Sequence, residues 1–247
     1  MPPKGKLLNV LEHVSRSRPD IVDPEAEVLA GHVLVDGLLV TNPRSLVRAD
    51  APVVLRLPRP LRGEEKLRAA LDGFGIDAGG RVCVDLGASA GGFTRVLLER
   101  GARRVYAVDV GHGQLRGDLR NDDRVVNLER TNLADSAHLI PRRDPIDVIT
   151  IDLSYLSIAA AVPQIEELPI AADADFVALV KPMFELGLDN APNDEPSLLR
   201  ARDVAVAGVG SMPWRVVETM PSPVTGSRGA REWLLHAVRE MRSPGLP

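Results

Sequence analysis

The stretch Asp85-Leu86-Gly87-Ala88-Ser89-Ala90-Gly91-Gly92-Phe93 follows an apolar run and opens a helical one. Glycines at such a turn let a bound molecule approach the backbone where a Cβ would clash. A second apolar run ends in Asp109. An acid there reaches a ribose diol in doubly wound folds, in the crevice beyond the carboxyl ends of the strands. The glycine spacing is not the G-x-G-x-x-G of a dinucleotide site. It reads instead as acid-x-Gly-x-Ser-x-Gly-Gly-Phe, the turn of an S-adenosylmethionine pocket. In that reading Asp85 and the turn amides hold the methionine part. Two more charges end later strands, Asp152 in Asp152-Leu153-Ser154-Tyr155 and Lys181 in Val180-Lys181-Pro182. Either alone reads as a solvated strand end. Together, beside a cofactor loop, they form a candidate site. Lys66 and Glu232 are not singled out by pattern.

The elements that must position these groups alternate from Gly63 onward. A helix is expected over Glu64 to Phe74, with Leu67, Leu71 and Phe74 on one face. A strand follows at Arg81–Leu86 and a helix at Phe93–Glu99, with Gly101 as its C-cap. Further strands are expected at Val105–Asp109, Val125–Leu128, Asp147–Asp152 and Phe176–Val180. Near-continuous apolar strands separated by helices imply a parallel sheet buried on both faces. Trp214–Glu218 and Glu232–Ala237 suit a closing antiparallel pair, and Gly187–Pro196 reads as a mobile loop.

Before Gly63 the pattern is a small α+β unit. Leu7, Leu8, Val10, Leu11 and Val14 suit an amphipathic helix, and a second helix is expected to end with Gly31 as its C-cap. His32–Val35 and Leu38–Val40 are joined by Asp36-Gly37, a strong hairpin signal. Val53–Leu57 is a third strand, and Pro58, Arg59 and Pro60 form a stiff basic connection.

The chain has 247 residues, 45% hydrophobic and 26% charged, enough for one large domain and a small one. No run of about 18 apolar residues suggests a membrane span, and the start leads into no secretory h-region. The single cysteine, Cys83, excludes an internal disulfide framework and reads as a buried small hydrophobe. A cytoplasmic protein is the expectation. A net charge of −4 excludes a uniformly basic coat but leaves room for a local basic face. At 3% aromatics, a stacking platform for several bases is not expected.

The Asp85–Thr94 block, Val108-Asp109-Val110-Gly111-His112-Gly113-Gln114-Leu115, Leu128-Glu129-Arg130-Thr131-Asn132, Asp152–Ser157 and Val180-Lys181-Pro182-Met183-Phe184-Glu185 together resemble the TlyA family. Its members are haemolysin-like proteins that act as ribosomal-RNA 2′-O-ribose methyltransferases, with a catalytic domain of the FtsJ type. The resemblance covers roughly Arg62 to Ala237. It implies a Rossmann-like class I methyltransferase domain over 62–247, with a mostly parallel seven-stranded sheet. It also implies a small N-terminal α+β RNA-binding-like module over 1–61. The implied catalytic set is Lys66, Asp152, Lys181 and Glu232. The implied S-adenosyl-L-methionine pocket comprises Asp85, Gly87, Ala88, Ser89, Gly91, Gly92, Phe93, Asp109, Val110, Asn132, Leu133 and Asp152. No metal is implied, and the partner is ribosomal RNA or a ribosomal subunit.

Chemistry makes sense of these residue types. A ribose 2′-hydroxyl must lose its proton as it attacks a sulfonium methyl in line. A partly desolvated lysine near other cations acts as base or stabilises the developing alkoxide. That role falls to Lys181, oriented by Asp152. Lys66 and Glu232 complete the charge network, and the rest is alignment.

The sequence departs from the family on the substrate side. Pro19 to Glu27 is acidic and carries two prolines, Ala230 replaces an asparagine, and Gly187-Leu188-Asp189-Asn190 lacks a basic continuation. Residues 1–62 hold nine Lys plus Arg against seven Asp plus Glu, a weak charge for binding phosphates. A methyltransferase-fold enzyme acting on a small metabolite is therefore the alternative reading. A non-catalytic RNA-binding or membrane-active protein is a third, which the intact tetrad argues against.

Overall fold

The computed structural model describes residues 6–56 and 60–240. The chain forms two compact units, divided between Arg59 and Pro60. The expected strand end at Leu57 and the linker residues Pro58 and Arg59 lie outside the described residues.

The smaller unit runs β1 (Leu7–Asn9), α1 (Val10–Ser17), α2 (Pro24–Leu29), β2 (Val33–Val35), β3 (Leu38–Val40), β4 (Leu46–Arg48) and β5 (Val53–Leu55). β1 pairs with β4, and the second sheet has the order β3-β2-β5. Asp36 (φ 53°) and Gly37 (φ 77°) make the hairpin turn between β2 and β3. Leu7 and Leu8 are not helical as expected. The Asn9 side chain accepts a hydrogen bond from the Glu12 amide and caps α1 there. The residues before it pair instead with Leu46–Arg48. α2 is capped by Asp23, carries Pro24 in its first turn, and ends at Ala30 with Gly31 left-handed just beyond. Val10, Val14, Val28, Val33 and Val35 are buried between the helices and the sheet.

The larger unit runs α3 (Arg62–Phe74), β6 (Val82–Leu86), α4 (Gly92–Glu99), β7 (Arg104–Asp109), α5 (Gly117–Arg120), β8 (Val125–Glu129), α6 (Ser136–Leu139), β9 (Ile146–Ile151), α7 (Ile158–Ile165), β10 (Ile170–Val180), α8 (Pro182–Glu185), α9 (Glu195–Gly210), β11 (Trp214–Pro221) and β12 (Trp233–Arg239). One seven-stranded sheet takes the order β11-β12-β10-β9-β6-β7-β8. β12 is antiparallel to both neighbours, and the pairs from β10 to β8 are parallel. Alternating residues feed two cores. Val82, Val84 and Leu86 join α7 and α9 on one face. Cys83, Val105 and Val148 join α3 and α4 on the other. Cys83 is buried as expected, and that burial pushes its thiol up to about 12.

Two elements differ from expectation. β10 begins at Ile170 rather than Phe176, because Ile170 still pairs with Ile146 across an irregularity. Glu195 and Pro196 are not loop. They open α9, whose cap Asp194 accepts from the Ser197 amide. After β6 the chain builds outward through β7 and β8, then returns to β9 and β10 on the other side. The order reverses between β6 and β9, and the crevice at such a switch point is where open α/β sheets bind ligands.

Candidate active site

The carboxyl ends of β6, β7, β9 and β10 bring the expected groups to one rim. Gly87 follows β6 with φ +90°, and a Cβ there would lie 2.5 Å from the Asp152 carbonyl oxygen. The loop therefore lies against the end of β9, where the Asp152 amide donates to Leu86. Ser89 (φ 47°) and Gly91 (φ 95°) also take left-handed backbone, and Gly91 starts α4. Asp109 binds this loop to its own strand end. It accepts from the Ser89 amide at 2.8 Å and the Gly111 amide at 2.6 Å. Replacing Gly87 with Ala combines a left-handed conformation with a backbone collision. The expected cost is on the order of 3 kcal/mol of stability, with loss of binding to S-adenosylhomocysteine. Thermal unfolding and calorimetric titration check this, and an unchanged affinity in a stable variant would contradict it.

Gly87 lines two hollows. One, of about 130 Å³, is bounded by Ala88, Ser89, Gly92, Phe93 and Asp152. The other runs past Asp109, Val110, Thr131, Leu133 and Tyr155. Asn132 lies between two lining residues but is itself exposed, and its amide exchanges hydrogen bonds with Asp135 at 2.6 and 2.8 Å.

Asp85, the first acid of the glycine turn, has a fully buried side chain. Its two oxygens accept from Thr94 Oγ1 at 2.7 Å and Thr150 Oγ1 at 3.2 Å. It braces the turn from beneath. Burial raises its carboxyl to about 7, against the pull of Thr94 and helped by the charge of Asp152. An unfolded aspartate titrates near ~3.9. Between about pH 4 and 7 the unfolded chain thus releases a proton that the native state keeps, so stability falls as pH rises through that window and levels off above it. Asp85→Asn removes this dependence. At pH 8 the variant is expected to gain on the order of 4 kcal/mol relative to its difference at pH 4. Urea unfolding at the two pH values checks this, and an equal difference at both would contradict it.

The four expected catalytic residues converge. Lys181 Nζ lies 2.6 Å from Asp152 Oδ1 and donates to Ser154 Oγ at 2.8 Å. Asp152 Oδ1 is buried, with the Lys181 ammonium as its ionic partner. Lys66 Nζ donates to Glu232 Oε2 at 2.5 Å, and both side chains are buried. Burial raises the Glu232 carboxyl. Lys66 and then Lys181 oppose the rise, and Asp152 adds to it. All four charges therefore sense one another. α3 supplies Lys66 because Gly63 and Gly92 let it pack closely on α4. Glu232 stands just before β12, where Gly226 leaves room for its carboxylate. A cavity of about 470 Å³ opens at this point, lined by Lys181, Glu232 and Ser154, by Asp189 and Asn190 beyond α8, and by Arg228. Another hollow of about 470 Å³ lies at the other end of β10, lined by Glu166, Arg239, Glu240 and Met212, and includes none of the expected site residues.

Several supports carry no signal of their own in the sequence, Ser154 beside Lys181 among them. Glu129 ends β8, and the Gly113 backbone hydrogen bond, aided by the Leu115 and Gln114 amides, holds its carboxyl down to about 2. It shapes the turn that carries Gln114, a partner of Ser89. Glu185 accepts from the Ile158 amide at 2.6 Å and so ties α8 to the start of α7. His112 is exposed, 3.4 Å from Glu129, and lines neither hollow. Among the described residues no group of three His, Cys, Asp or Glu could hold a metal ion, and no helix is long and apolar enough to cross a membrane.

A mostly parallel seven-stranded sheet, a glycine turn after its first strand and an acid after its second define a class I methyltransferase fold. Residues 61–239 match the FtsJ-like methyltransferase family model. The chain is 43% identical to the 16S/23S rRNA (cytidine-2′-O)-methyltransferase TlyA of Mycobacterium tuberculosis, over 83% of this chain and 80% of that one. It is 36% identical to Hemolysin A of Brachyspira hyodysenteriae, over 85% of this chain and 90% of that one. A solved structure of a candidate hemolysin from Streptococcus thermophilus aligns with a TM-score of 0.67 at 28% identity, covering 95% of this chain and 89% of that one. The chain belongs to the TlyA family of FtsJ-like methyltransferases.

Proposed function

We propose that this protein transfers a methyl group from S-adenosylmethionine to a ribose 2′-hydroxyl of ribosomal RNA. The observation that carries the reading is the Lys181–Asp152 pair, set between the glycine-loop hollow and the larger cavity. The relatives named above supply the RNA class.

The loop fits the cofactor. Gly87 leaves a cradle that a Cβ would fill. Asp109 has lone pairs to spare for a ribose diol beyond its two amide partners. Val110 and Leu133 offer apolar surface for the adenine, and Gly87, Ala88, Ser89, Gly92 and Phe93 face the methionine part. When bound, S-adenosylmethionine supplies an electrophilic methyl on a sulfonium. The residues here hold the acceptor. The acceptor 2′-oxygen would sit against Lys181 Nζ, which, having first given its own proton to solvent, would take the hydroxyl proton as the methyl is transferred. Asp152 then faces the ammonium so produced, as a carboxylate steadies a protonated base in other enzymes. Ser154 fixes the lysine from a second side. Lys66 holds Glu232 in a dry ion pair that faces the same cavity. The N-terminal module adds RNA contacts, weak ones given its near-balanced charge.

The test is methyl transfer from labelled S-adenosylmethionine to purified 30S and 50S subunits from a bacterium that lacks this family. Label in RNA of either subunit supports the reading. Cofactor binding with no transfer to either would overturn it and favour a small-molecule acceptor.

A further inference from the structure

We propose that Arg228 is a phosphate anchor that positions the RNA acceptor, an inference that rests on the ribosomal-RNA reading above. Arg228 lines the cavity that also presents Lys181 and Glu232. Its side chain is exposed, and its backbone is left-handed, with φ 57° and ψ 25°. Glycine adopts that conformation freely, and arginine does not.

The turn that imposes this backbone is fixed from several sides. The Gly226 amide donates to Ala230 at 2.7 Å, and Arg62 donates to the Gly226 carbonyl at 3.3 Å. Gly226 also packs so closely on the Glu232 carboxylate that any Cβ there would overlap it. The turn is thus built onto the catalytic glutamate, and Arg228 is carried at its tip.

Of the charges lining the cavity, Lys181 and Glu232 have ion-pair partners, and Asp189 and Arg228 have none among the described residues. Lys181 is held by Asp152, and Glu232 by Lys66. Arg231, three residues beyond Arg228, pairs with Glu195 at 3.0 Å. Among the described residues Arg228 has no ion-pair partner. An unpaired guanidinium beside the proposed ribose site presents a planar fork that matches phosphate oxygens. Strain of this kind persists at functional sites because the surroundings over-determine it.

The experiment measures KM for 30S and 50S subunits over a potassium chloride series at fixed magnesium. It compares the wild type with Arg228→Gly and with Arg231→Ala, the paired cation nearby. Arg228→Gly relieves the backbone, so its Tm is expected at or above that of the wild type. Its kcat at saturating subunits is expected to hold within about twofold, while KM rises roughly three- to tenfold and the slope of log KM against log salt flattens by about one unit. Arg231→Ala is expected to leave the slope unchanged. An unchanged KM and slope in Arg228→Gly would overturn the inference. So would a raised KM with an unchanged slope and a lowered Tm, which marks a structural role. Failure of the wild type to methylate either subunit would remove the ribosomal reading itself and this inference with it.

Discussion

Replacing Lys181 with Met is expected to lower methyl transfer to ribosomal subunits by roughly 10²–10⁴-fold, the range that a positioned proton-transfer group supplies. The methionine keeps most of the side-chain volume and removes the nitrogen that faces Asp152 and Ser154. Lys181 lies beside, not within, the loop hollow, so affinity for S-adenosylhomocysteine is expected to change little. Single-turnover transfer at saturating cofactor and subunit measures the effect. A rate within about threefold of wild type would contradict the role given to Lys181, since the smallest general-base contribution is near 10²-fold.

The second large effect is on stability. Lys66 and Glu232 form a buried pair, with side chains 6% and 5% exposed. Removing one partner of such a pair leaves an uncompensated charge, at a cost of about 3–5 kcal/mol. Lys66→Met is therefore expected to lose that much near neutral pH. The loss has a definite pH sign. The Glu232 carboxyl is already raised by burial, and Lys66 is the main group opposing the rise. Without Lys66 its native titration moves higher still, while the unfolded carboxyl keeps its ordinary value. The variant then resembles the wild type in acid and loses stability as pH rises through the native titration. Lys66→Met combined with Glu232→Leu removes both charges and is expected to recover most of the stability. Methyl transfer should stay low in the double variant, because the cavity wall has lost its carboxylate. Urea unfolding at pH 5 and 8, beside transfer assays, separates the two effects. A single variant as stable as wild type at pH 8 would contradict the pairing.

Much of this site is legible in the sequence, for a physical reason. Gly87, Asp109, Asp152 and Lys181 stand at the ends of apolar strands, and parallel topology sends all those ends to one rim. Lys66 and Glu232 carry no such signal. They lie 166 residues apart, one inside a helix and one before an antiparallel strand. Only the family resemblance marks them. The burial of Asp85 is not legible, because a strand-end acid looks the same whether it faces a ligand or is buried. Here Thr94 and Thr150 provide the inward partners that make burial tolerable. α9 is hard to see because its buried stripe, Leu198, Ala201, Ala205 and Val209, is half alanine, while other positions of the helix are also apolar. β1 is invisible locally, since Leu7 and Leu8 fit a helix or a strand and their distant partners around Val47 decide. The left-handed Arg228 belongs to a turn whose Gly226 packs on the nearby Glu232 and accepts from the distant Arg62, and no residue type in it announces that backbone.

The proposed acceptor is a ribose 2′-oxygen. Alkali cleaves RNA through that hydroxyl, so a methyl there makes the adjoining linkage resistant. The most direct measurement is alkaline digestion of ribosomal RNA labelled by the wild-type protein, followed by separation of the products. The label is expected in alkali-stable dinucleotides. Label recovered in ordinary mononucleotides would place the methyl on a base and contradict it.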